Sequence, residues 1–333
     1  MFDLTAVGEM LIDFTPYGDS AAGNPVFERN PGGGVANLVC AAAKMGAKVS
    51  FISKVGDEAF GRALKRVVLN HGIDTRNFIL DADSMTTLAF VALAEDGERS
   101  FLFFHEKGAD TLLGLEEVDT AVLQESRFFA ASTVMMTGEL SRRTNLELMR
   151  LAAEAGCQVF FDPNIRFNLW NSEEEMRACI EAGLRYADIV KLSDEELVYW
   201  MGDGDQTVLA KAFSQRYDTD LLLITLGKDG CLVVRGDESF VVPGFPLDKT
   251  VDTTGAGDSF SGSLLSRLAR FDRRPEELSR EELFGAVRFA NAVGSLTTTK
   301  KGGICGLPTL EEAERLLAVG KHSEAASGQE ETA

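Results

Sequence analysis

The sequence DTTGAGDSF occupies residues 252–260 and leads directly into the helical pattern SGSLLSRLA. Two glycines flank Ala256 at the start of this helix, so backbone N–H groups are accessible there. Because the amino-terminal end of a helix has unpaired N–H groups and a partial positive charge, it binds anions such as phosphate. Asp258 follows in the first turn and would face whatever the glycine turn holds. The stretch therefore predicts an anion site with a carboxylate beside it.

A carboxylate next to a phosphate site is electrostatically unfavourable unless it takes part in the chemistry. Asp258 would suit the general base that takes a proton from a substrate hydroxyl while that oxygen attacks a phosphoryl group. The N–H groups of Gly255–Gly257 would then form an anion hole for the transferred oxygens. The alternative is that Asp258 only interacts favourably with the helix dipole. In isolation the stretch favours this simpler alternative, so the choice between the two roles depends on the other motifs in the chain.

Apolar strand-like runs alternate with helical patterns along most of the chain. The predicted strands are Leu4–Val7, Val49–Val55, Phe128–Ala131, Val159–Phe161, Ile189–Leu192 and Leu221–Thr225. The predicted helices are Val35–Met45, Phe60–Asn70, Asn145–Ala155, Met176–Tyr186, one beginning near Asp194, Ala256–Leu268 and Glu281–Thr298. Such alternation is typical of a parallel sheet with helices on both faces. We expect an α/β fold, a doubly wound αβα sandwich with a mostly parallel central sheet.

Two stretches, residues 10–27 and 87–107, interrupt this rhythm early in the chain. In the second, FVALAEDGERSFLFF (residues 90–104) predicts a β-hairpin with its turn at Glu95–Arg99. We interpret both as a small β-sheet lid that closes over a ligand, with ordinary edge strands as the alternative. Residues 1–320 would form one domain. Residues 321–333 are polar without an apolar face, and we expect them to be disordered.

Charge and cysteine content narrow the classes of function. The 333 residues carry a net charge of −19 without a basic patch, which argues against binding to nucleic acid or to anionic membranes. The sequence shows neither a run of about 18 apolar residues nor a signal-like start, so we expect neither membrane insertion nor secretion. The five cysteines are scattered without CxxC spacing, which argues against disulfides and zinc and favours the cytoplasm.

A second glycine-rich motif lies near the amino terminus. Gly32–Asn37 reads GGGVAN and is followed by AAAKMGAKVSFISKVGDEAFG, residues 41–61. This segment resembles the amino-proximal signature of the PfkB family of carbohydrate kinases, the ribokinase-like group, and DTTGAGDSF resembles that family's carboxyl-proximal signature. The pattern GxxxxGK[ST] is absent and no GxGxxG follows an apolar strand, so P-loop enzymes and dehydrogenases fit less well. The resemblance extends over residues 3–318.

The resemblance implies a ribokinase-like fold and residues for both catalysis and sugar binding. The catalytic group would be Gly255, Ala256, Gly257 and Asp258. Sugar contacts are implied for Asp13, Gly32, Gly33, Gly34, Asn37, Phe103, Arg166 and Asp258. Asp13 belongs to VGEMLIDF (residues 7–14), which looks like the opening of fructokinase-type members, and Arg166 belongs to DPNIRFNLW (residues 162–170), which is similar to fructokinases and 2-keto-3-deoxygluconate kinases. The alternative for Asp13 is a solvated acid at the end of a strand, and the alternative for Arg166 is a structural salt bridge.

The same resemblance implies a nucleotide site beside later strands. Its residues would be Asn164, Lys191, Ser193, Glu196, Thr225, Gly227, Gly230, Gly255, Gly257 and Asn291. Ser193 stands where the wider family has asparagine, and Glu196 would act on Mg²⁺ through water. The alternative for Ser193 and Glu196 is a helix capping box without a nucleotide role. The alternative for Thr225–Gly230 is an ordinary glycine-containing turn between strands. A monovalent cation such as K⁺ would be held mostly by backbone oxygens of Asp252, Thr254, Thr297, Lys300 and Gly302.

The resemblance thus implies an ATP-dependent sugar kinase that transfers the γ-phosphoryl group of MgATP to a primary hydroxyl of a small sugar. Fructose, which would give fructose 6-phosphate, is the first choice of substrate. A 2-keto-3-deoxygluconate kinase is an alternative, because Arg99, Lys107 and Arg166 offer positive charge to an acidic substrate. A riboside kinase is another, since GERSFLFFHEKGAD (residues 97–110) resembles such relatives. A non-catalytic sugar or nucleotide sensor on this fold is the alternative from a different class. The resemblance also implies a homodimer in which the lids meet, which suits lid strands with apolar faces and open edges.

Overall fold

The computed structural model describes residues 1–93, 99–105, 107–245, 247 and 249–319. Its strands are β1 Phe2–Val7, β2 Leu11–Asp19, β3 Pro25–Gly32, β4 Val49–Gly56, β5 Phe78–Asp81, β6 Leu88–Leu93, β7 Arg99–Phe104, β8 Ser126–Ser132, β9 Gln158–Asp162, β10 Ile189–Ser193, β11 Leu221–Thr225, β12 Gly230–Arg235 and β13 Glu238–Pro243. Its helices are α1 Gly34–Lys44, α2 Ala59–Asn70, α3 Ala121–Gln124, α4 Glu139–Glu154, α5 Glu173–Leu184, α6 Asp194–Met201, α7 Gln206–Tyr217, α8 Ala256–Leu268, α9 Arg280–Thr297 and α10 Gly303–Gly306, followed by a helix over residues 310–319.

The central sheet consists of nine of the described strands in the order β13-β12-β11-β10-β9-β8-β1-β4-β5. Neighbouring strands run parallel from β11 to β5, whereas β12 and β13 are added antiparallel at one edge. Strands that are covered on both faces read as continuous apolar runs. All five residues of β9 and all eight of β4 are buried accordingly. The expected mostly parallel sheet is therefore confirmed.

Helices cover both faces of this sheet. Because successive strand residues point to opposite faces, Phe128 and Phe160 lie in one core, whereas Phe129 and Phe161 lie in the other. The first core includes buried side chains of α1, α2, α8 and α9, and the second includes those of α3 to α7. Two apolar layers on either side of one sheet confirm the doubly wound αβα sandwich.

The two interrupting stretches form a separate four-stranded sheet in the order β3-β2-β6-β7. The hairpins β2–β3 and β6–β7 are antiparallel, and a parallel pairing of β2 with β6 joins them. The small lid sheet is thus confirmed, and the edge-strand alternative is wrong. The first lid stretch was predicted to end at residue 27, which is too early, because β3 extends to Gly32, and Gly32 pairs with Leu11. Most of the predicted turn at Glu95–Arg99 lies outside the described residues.

The assignment of residues 1–320 to one domain stays a prediction, and residues 321–333 lie outside the described residues. Within the described ranges, none of the helices combines the length and the apolar character that crossing a bilayer requires.

Candidate active site

The candidate site lies at the carboxyl edge of the central sheet, which is where ligands of open α/β sheets bind. Here β9 ends at Asp162 and β10 ends at Ser193, and both α1 and α8 begin at the same edge. Asn37 of α1 donates a hydrogen bond from Nδ2 to Oδ2 of Asp258 in α8, at 2.8 Å. The two glycine-rich motifs, which are 221 residues apart at these positions, therefore meet in one place.

Asp258 is a half-buried carboxylate in the first turn of α8. Burial raises its pKa, whereas the hydrogen bond from Asn37 and the positive charges of Lys191 and Arg166 lower it, and the charge of Glu196 raises it again. The net direction is upward, towards the pH at which a general base works best. The surroundings of Asp258 therefore suit proton abstraction better than simple capping.

The turn before α8 requires glycine at residue 255. Gly255 has φ of 76°, and a Cβ atom there would lie 2.8 Å from the Cα of Gly303. Ala256 donates its N–H to the carbonyl of Thr253 at 3.2 Å. The N–H of Ala256 is therefore already used within the turn, and the anion hole of Gly255–Gly257 stays a prediction.

The glycines that precede α1 allow side chains to converge on the same point. A Cβ atom at Gly34 would lie 2.5 Å from Nδ2 of Asn164 and 3.4 Å from Oδ1 of Asp258. A Cβ atom at Gly32 would lie 1.9 Å from Oδ2 of Asp13. Any side chain at residue 32 or 34 would therefore occupy the space that these polar groups surround.

Asp13 lies on β2 in the lid, and its carboxylate accepts no hydrogen bond from the described chain. Burial raises its pKa to about 7, and the nearby charges of Asp252 and Asp258 contribute to this rise. Asp13 pairs with Ala89, which pairs with Phe103, so the three residues share one face of the lid. The lid thus presents an acid on β2 and an aromatic residue on β7 on the same face, with β6 between them, and their contact with sugar stays a prediction.

Arg166 is exposed at the end of the β9 segment and forms no ion pair with any described carboxylate. Its Nη1 donates to its neighbour's carbonyl, that of Ile165, at 3.1 Å. The structural salt bridge is therefore absent among the described residues. Arg166 acts instead at longer range, where its charge lowers the pKa of Asp258.

Lys191 is a buried cation beside the glycine turn. Its Nζ lies 3.2 Å from Oδ2 of Asp162 and would lie 3.3 Å from a Cβ atom at Gly257. Burial alone would lower its pKa, but the carboxylates of Asp162, Glu196 and Asp258 outweigh burial and raise it. Lys191 therefore keeps its positive charge next to the predicted phosphate position.

Ser193 and Glu196 form the capping box of α6, since Ser193 Oγ accepts from the Glu196 N–H and the Glu196 carboxylate accepts from the Ser193 N–H at 2.8 Å. The other carboxylate oxygen accepts from the N–H of Ile165 at 2.7 Å. The capping alternative is confirmed. The hydrogen bond from Ile165 also holds the Glu196 carboxylate beside the site, because the preceding residue is Asn164, a predicted nucleotide contact that is buried and has φ of 45°. The role of Glu196 towards Mg²⁺ stays a prediction.

The remaining predicted nucleotide contacts lie around β11 and α9. Thr225 Oγ1 donates to the carbonyl of Leu192 at 3.3 Å, and Gly227 and Gly230 have positive φ. Asn291 donates from Nδ2 to the carbonyls of Val242 and Pro243, at 2.9 and 3.1 Å. The amide nitrogen of Asn291 thus joins α9 to β13, and a contact of Asn291 with nucleotide stays a prediction.

The predicted cation site brings two distant segments together. The Asp252 carboxylate accepts from the N–H groups of Thr254 and Gly302, at 2.9 and 3.0 Å. The carbonyl oxygens of Thr297 and Lys300 both lie near Gly306, at 3.1 and 3.6 Å from the position that a Cβ atom there would take, and the cation site stays a prediction. Such carbonyl oxygens suit a hard cation. Among the described His, Cys, Asp and Glu side chains, no group of three could hold a metal ion.

A cavity of about 830 Å³ opens between the lid and the loop after β9. Phe103, His105 and Lys107 line it from the lid side, and Asn168 and Trp170 line it from the loop. Predicted sugar contact Phe103 and predicted anion contact Lys107 therefore share one cavity. The side chain of Arg99 lies outside the described part of the chain.

Two buried acids that sequence reasoning did not single out also belong here. Glu9 and Asp110 are each 1% exposed, and Glu9 Oε1 accepts from the N–H of Gly34 at 2.6 Å. The sequence carried one signal, an acid inside the apolar run VGEMLIDF. Its burial became visible only in three dimensions.

The chain is similar in sequence and in structure to known sugar kinases. Fructokinase-1 of Zea mays is 40% identical over 319 residues, which cover 94% of this chain and 97% of that protein. Fructokinase from Xylella fastidiosa with bound ATP has a TM-score of 0.88 at 31% identity, covering 96% of this chain and 100% of that one. A double mutant of fructokinase from Vibrio cholerae O395, in fructose, ADP and potassium ion bound form, has a TM-score of 0.85 at 29% identity, with 94% and 97% covered.

The family model described as pfkB family carbohydrate kinase matches residues 1–310. The matched residues include both glycine-rich motifs, the lid and the two acids Asp13 and Asp258. With its ribokinase-like sandwich and a site assembled from these motifs, the chain belongs to the PfkB family of carbohydrate kinases.

Proposed function

We propose that this protein is an ATP-dependent fructokinase that converts fructose to fructose 6-phosphate. The observation that carries the proposal is the placement of Asp258 at the start of α8, where Asn37 holds it and the glycine turn adjoins it. The similarity to fructokinases of about 40% identity supports fructose as the acceptor. The ATP-bound and the fructose- and ADP-bound relatives support the two substrates.

In the proposed reaction, Asp13 accepts hydrogen bonds from sugar hydroxyls, and the lid excludes water from the reacting groups. Asp258 takes the proton of the primary hydroxyl as its oxygen forms a bond to the γ-phosphorus and the bond to ADP breaks. The N–H groups of Gly255 and Gly257 and the ammonium group of Lys191 stabilise charge on the transferred oxygens. Lys191 is suited to this because its positive charge is retained although it is buried.

Two ions would assist this reaction. We place Mg²⁺ with the phosphates of ATP, within reach of Glu196 through water, because Mg²⁺ keeps most of its hydration shell. We place K⁺ at the backbone oxygens of Asp252, Thr254, Thr297, Lys300 and Gly302, and the potassium-bound relative supports this choice. All five described cysteines are thiols, which fits the reducing cytoplasm where we place the enzyme.

The acceptor is tested by ADP release with MgATP and each of fructose, glucose, ribose, 2-keto-3-deoxygluconate and a nucleoside. We expect kcat/KM for fructose to exceed that of every other acceptor by at least about tenfold, a difference of about 1.4 kcal/mol in transition-state binding. Absence of ADP release with all acceptors would leave the sensor alternative and end the kinase proposal.

The acidic acceptor is the second candidate, because Lys107 lines the same cavity as Phe103. If 2-keto-3-deoxygluconate were the best acceptor, Lys107→Met should lower its kcat/KM about tenfold and leave fructose unaffected, because only the acidic sugar would lose a charged partner. Equal effects on both sugars would exclude this role for Lys107.

We also propose that two copies associate through their lids. The lid face opposite Asp13 carries Phe14, Phe27, Phe90, Leu102 and Phe104, of which Leu102 and Phe104 are each 59% exposed. Contiguous apolar surface of this kind marks association sites. Phe104→Glu should convert a dimer to monomer in light-scattering chromatography, whereas Val208→Glu, at a similarly exposed position on α7, should not. A wild-type monomer at working concentration would contradict the proposal.

A further inference from the structure

Glu9 is a buried acid of the active site that the proposed reaction does not use. It lies in the connection from β1 to β2, and its side chain receives a hydrogen bond at Oε1 from the N–H of Gly34. Its Oε2 atom is buried and has no hydrogen-bond partner within the described chain. An unpartnered polar atom in the interior is costly, so a native site that contains one calls for a physical reason.

The charged groups nearest to Glu9 are themselves acidic. Asp258 faces it from α8, and Asp110 faces it from the segment after β7. Oδ2 of Asp110 lies 3.3 Å from Nδ1 of His105, and Oδ1 of Asp110 accepts from Thr87, so the imidazole of His105 lies against Asp110. The nearest buried ammonium, that of Lys191, is paired with Asp162. Glu9 therefore has carboxylates around it and no cation of its own among the described residues.

This environment favours the protonated form of Glu9. Burial raises its pKa to about 8, and the charges of Asp110 and Asp258 contribute to this rise, while hydrogen bonds from backbone N–H groups oppose it. At pH 7 Glu9 is then mostly a neutral acid, with Oε1 still accepting from Gly34.

The position of Gly34 indicates what a neutral acid does here. Gly34 is the first residue of α1, whose N-cap, Gly33, has no side chain to accept a hydrogen bond. Glu9 supplies that acceptor from outside the helix. One turn later on the same helix, Asn37 holds Asp258. An ionised Glu9 would add a further negative charge near Asp258 and near the predicted position of the phosphoryl group.

We propose that Glu9 is a positioning residue for phosphoryl transfer, which caps α1 by accepting from the N–H of Gly34 and thereby holds Asn37 and the base Asp258 in place. The inference rests on the proposed kinase function. It adds a specific expectation, namely that the rate depends on the protonation state of Glu9, a group with no role in the proposed proton or phosphoryl transfer.

The first test is the pH dependence of kcat with saturating MgATP and fructose, in the wild type and in Glu9→Gln. Ionisation of a group with a pKa near 8 should reduce the wild-type rate about tenfold between pH 7 and pH 9. Glutamine keeps the acceptor for Gly34 and cannot ionise, so this alkaline decline should be absent in Glu9→Gln. Glu9→Ala removes the acceptor and should lower kcat at every pH.

The control is Asp188→Asn. Asp188 is also an acid whose pKa burial raises, and its Oδ2 accepts from the N–H of Val159 at 2.7 Å, but it precedes β10 at the opposite edge of the sheet. Asp188→Asn should retain the alkaline decline of the wild type. A decline that persists unchanged in Glu9→Gln would overturn the inference.

A second readout does not depend on activity. In protein labelled with ¹³C at glutamate carboxyl carbons, one resonance should titrate near pH 8 in the wild type and be missing from Glu9→Gln. If every glutamate titrates below pH 6, the inference is wrong even in an active enzyme. If no sugar is phosphorylated but this resonance is present, the proposed function fails while the neutral state of Glu9 stands.

Discussion

Replacement of Asp258 by Asn is expected to lower kcat with fructose about 1,000-fold, within the range that a general base contributes. Asparagine matches the shape of aspartate and can still lie beside Asn37, but it cannot take the proton of the attacking hydroxyl. KM for ATP should change less than about threefold, because Asp258 acts on the acceptor. Steady-state kinetics with coupled detection of ADP measures both parameters.

The matched control is Glu282→Gln. Glu282 is an acid in the first turn of α9, where its carboxylate accepts from the N–H of Ser279 at 2.8 Å, and it is not one of the predicted site residues. If Asp258 served only the helix dipole, both substitutions would reduce thermal stability slightly and leave kcat intact. Retention of full activity in Asp258→Asn would contradict its assignment as base.

The second large effect is expected for Gly255→Ala. The residue has φ of 76°, which costs an L-residue about 1–2 kcal/mol, and the new methyl group would lie 2.8 Å from the Cα of Gly303. The turn must shift, and its N–H groups then no longer point at the transferred oxygens. We expect kcat to fall about 100-fold, which is the lower end of the effect of removing one such donor.

Gly236→Ala separates this effect from backbone strain. Gly236 also has positive φ, 55°, but lies in the turn between β12 and β13, and a Cβ atom there would meet nothing within 4 Å. Both variants should therefore lose stability in thermal unfolding, and only Gly255→Ala should lose activity. Equal activity of the two variants would show that the glycine turn does not bind the phosphoryl group.

Much of the fold followed from periodicity, and the exceptions have physical causes. The buried parallel strands were predictable because continuous apolar runs such as that of β9 are typical of strands covered on both faces. Helix α7 was not predicted, since its buried residues are only Ala210, Phe213 and Ser214 and its apolar stripe is weak. The end of β3 was predicted too early because its last residue, Gly32, becomes a strand residue through pairing with Leu11, which a local pattern does not show.

In the candidate site, too, some residues could be predicted from local sequence and others could not. The position of Asp258 in the first turn of α8, directly after the glycine turn, was predictable because helix-terminus signals are local in sequence. Its role as base was implied by the family resemblance and stays a prediction. Glu9 was not predictable, because its importance depends on Gly34, 25 residues away, and on Asp258 in a distant helix. The capping box of Ser193 and Glu196 shows the reverse case, in which the local reading is correct and the same contacts also orient a carboxylate towards the site.

The most direct test of the central claim is identification of the product by ³¹P and ¹³C NMR after incubation of fructose with MgATP. We predict equal amounts of ADP and fructose 6-phosphate from the wild type, with product formation lost in Asp258→Asn. Formation of ADP and inorganic phosphate without a sugar phosphate, or phosphorylation at another hydroxyl, would contradict the account.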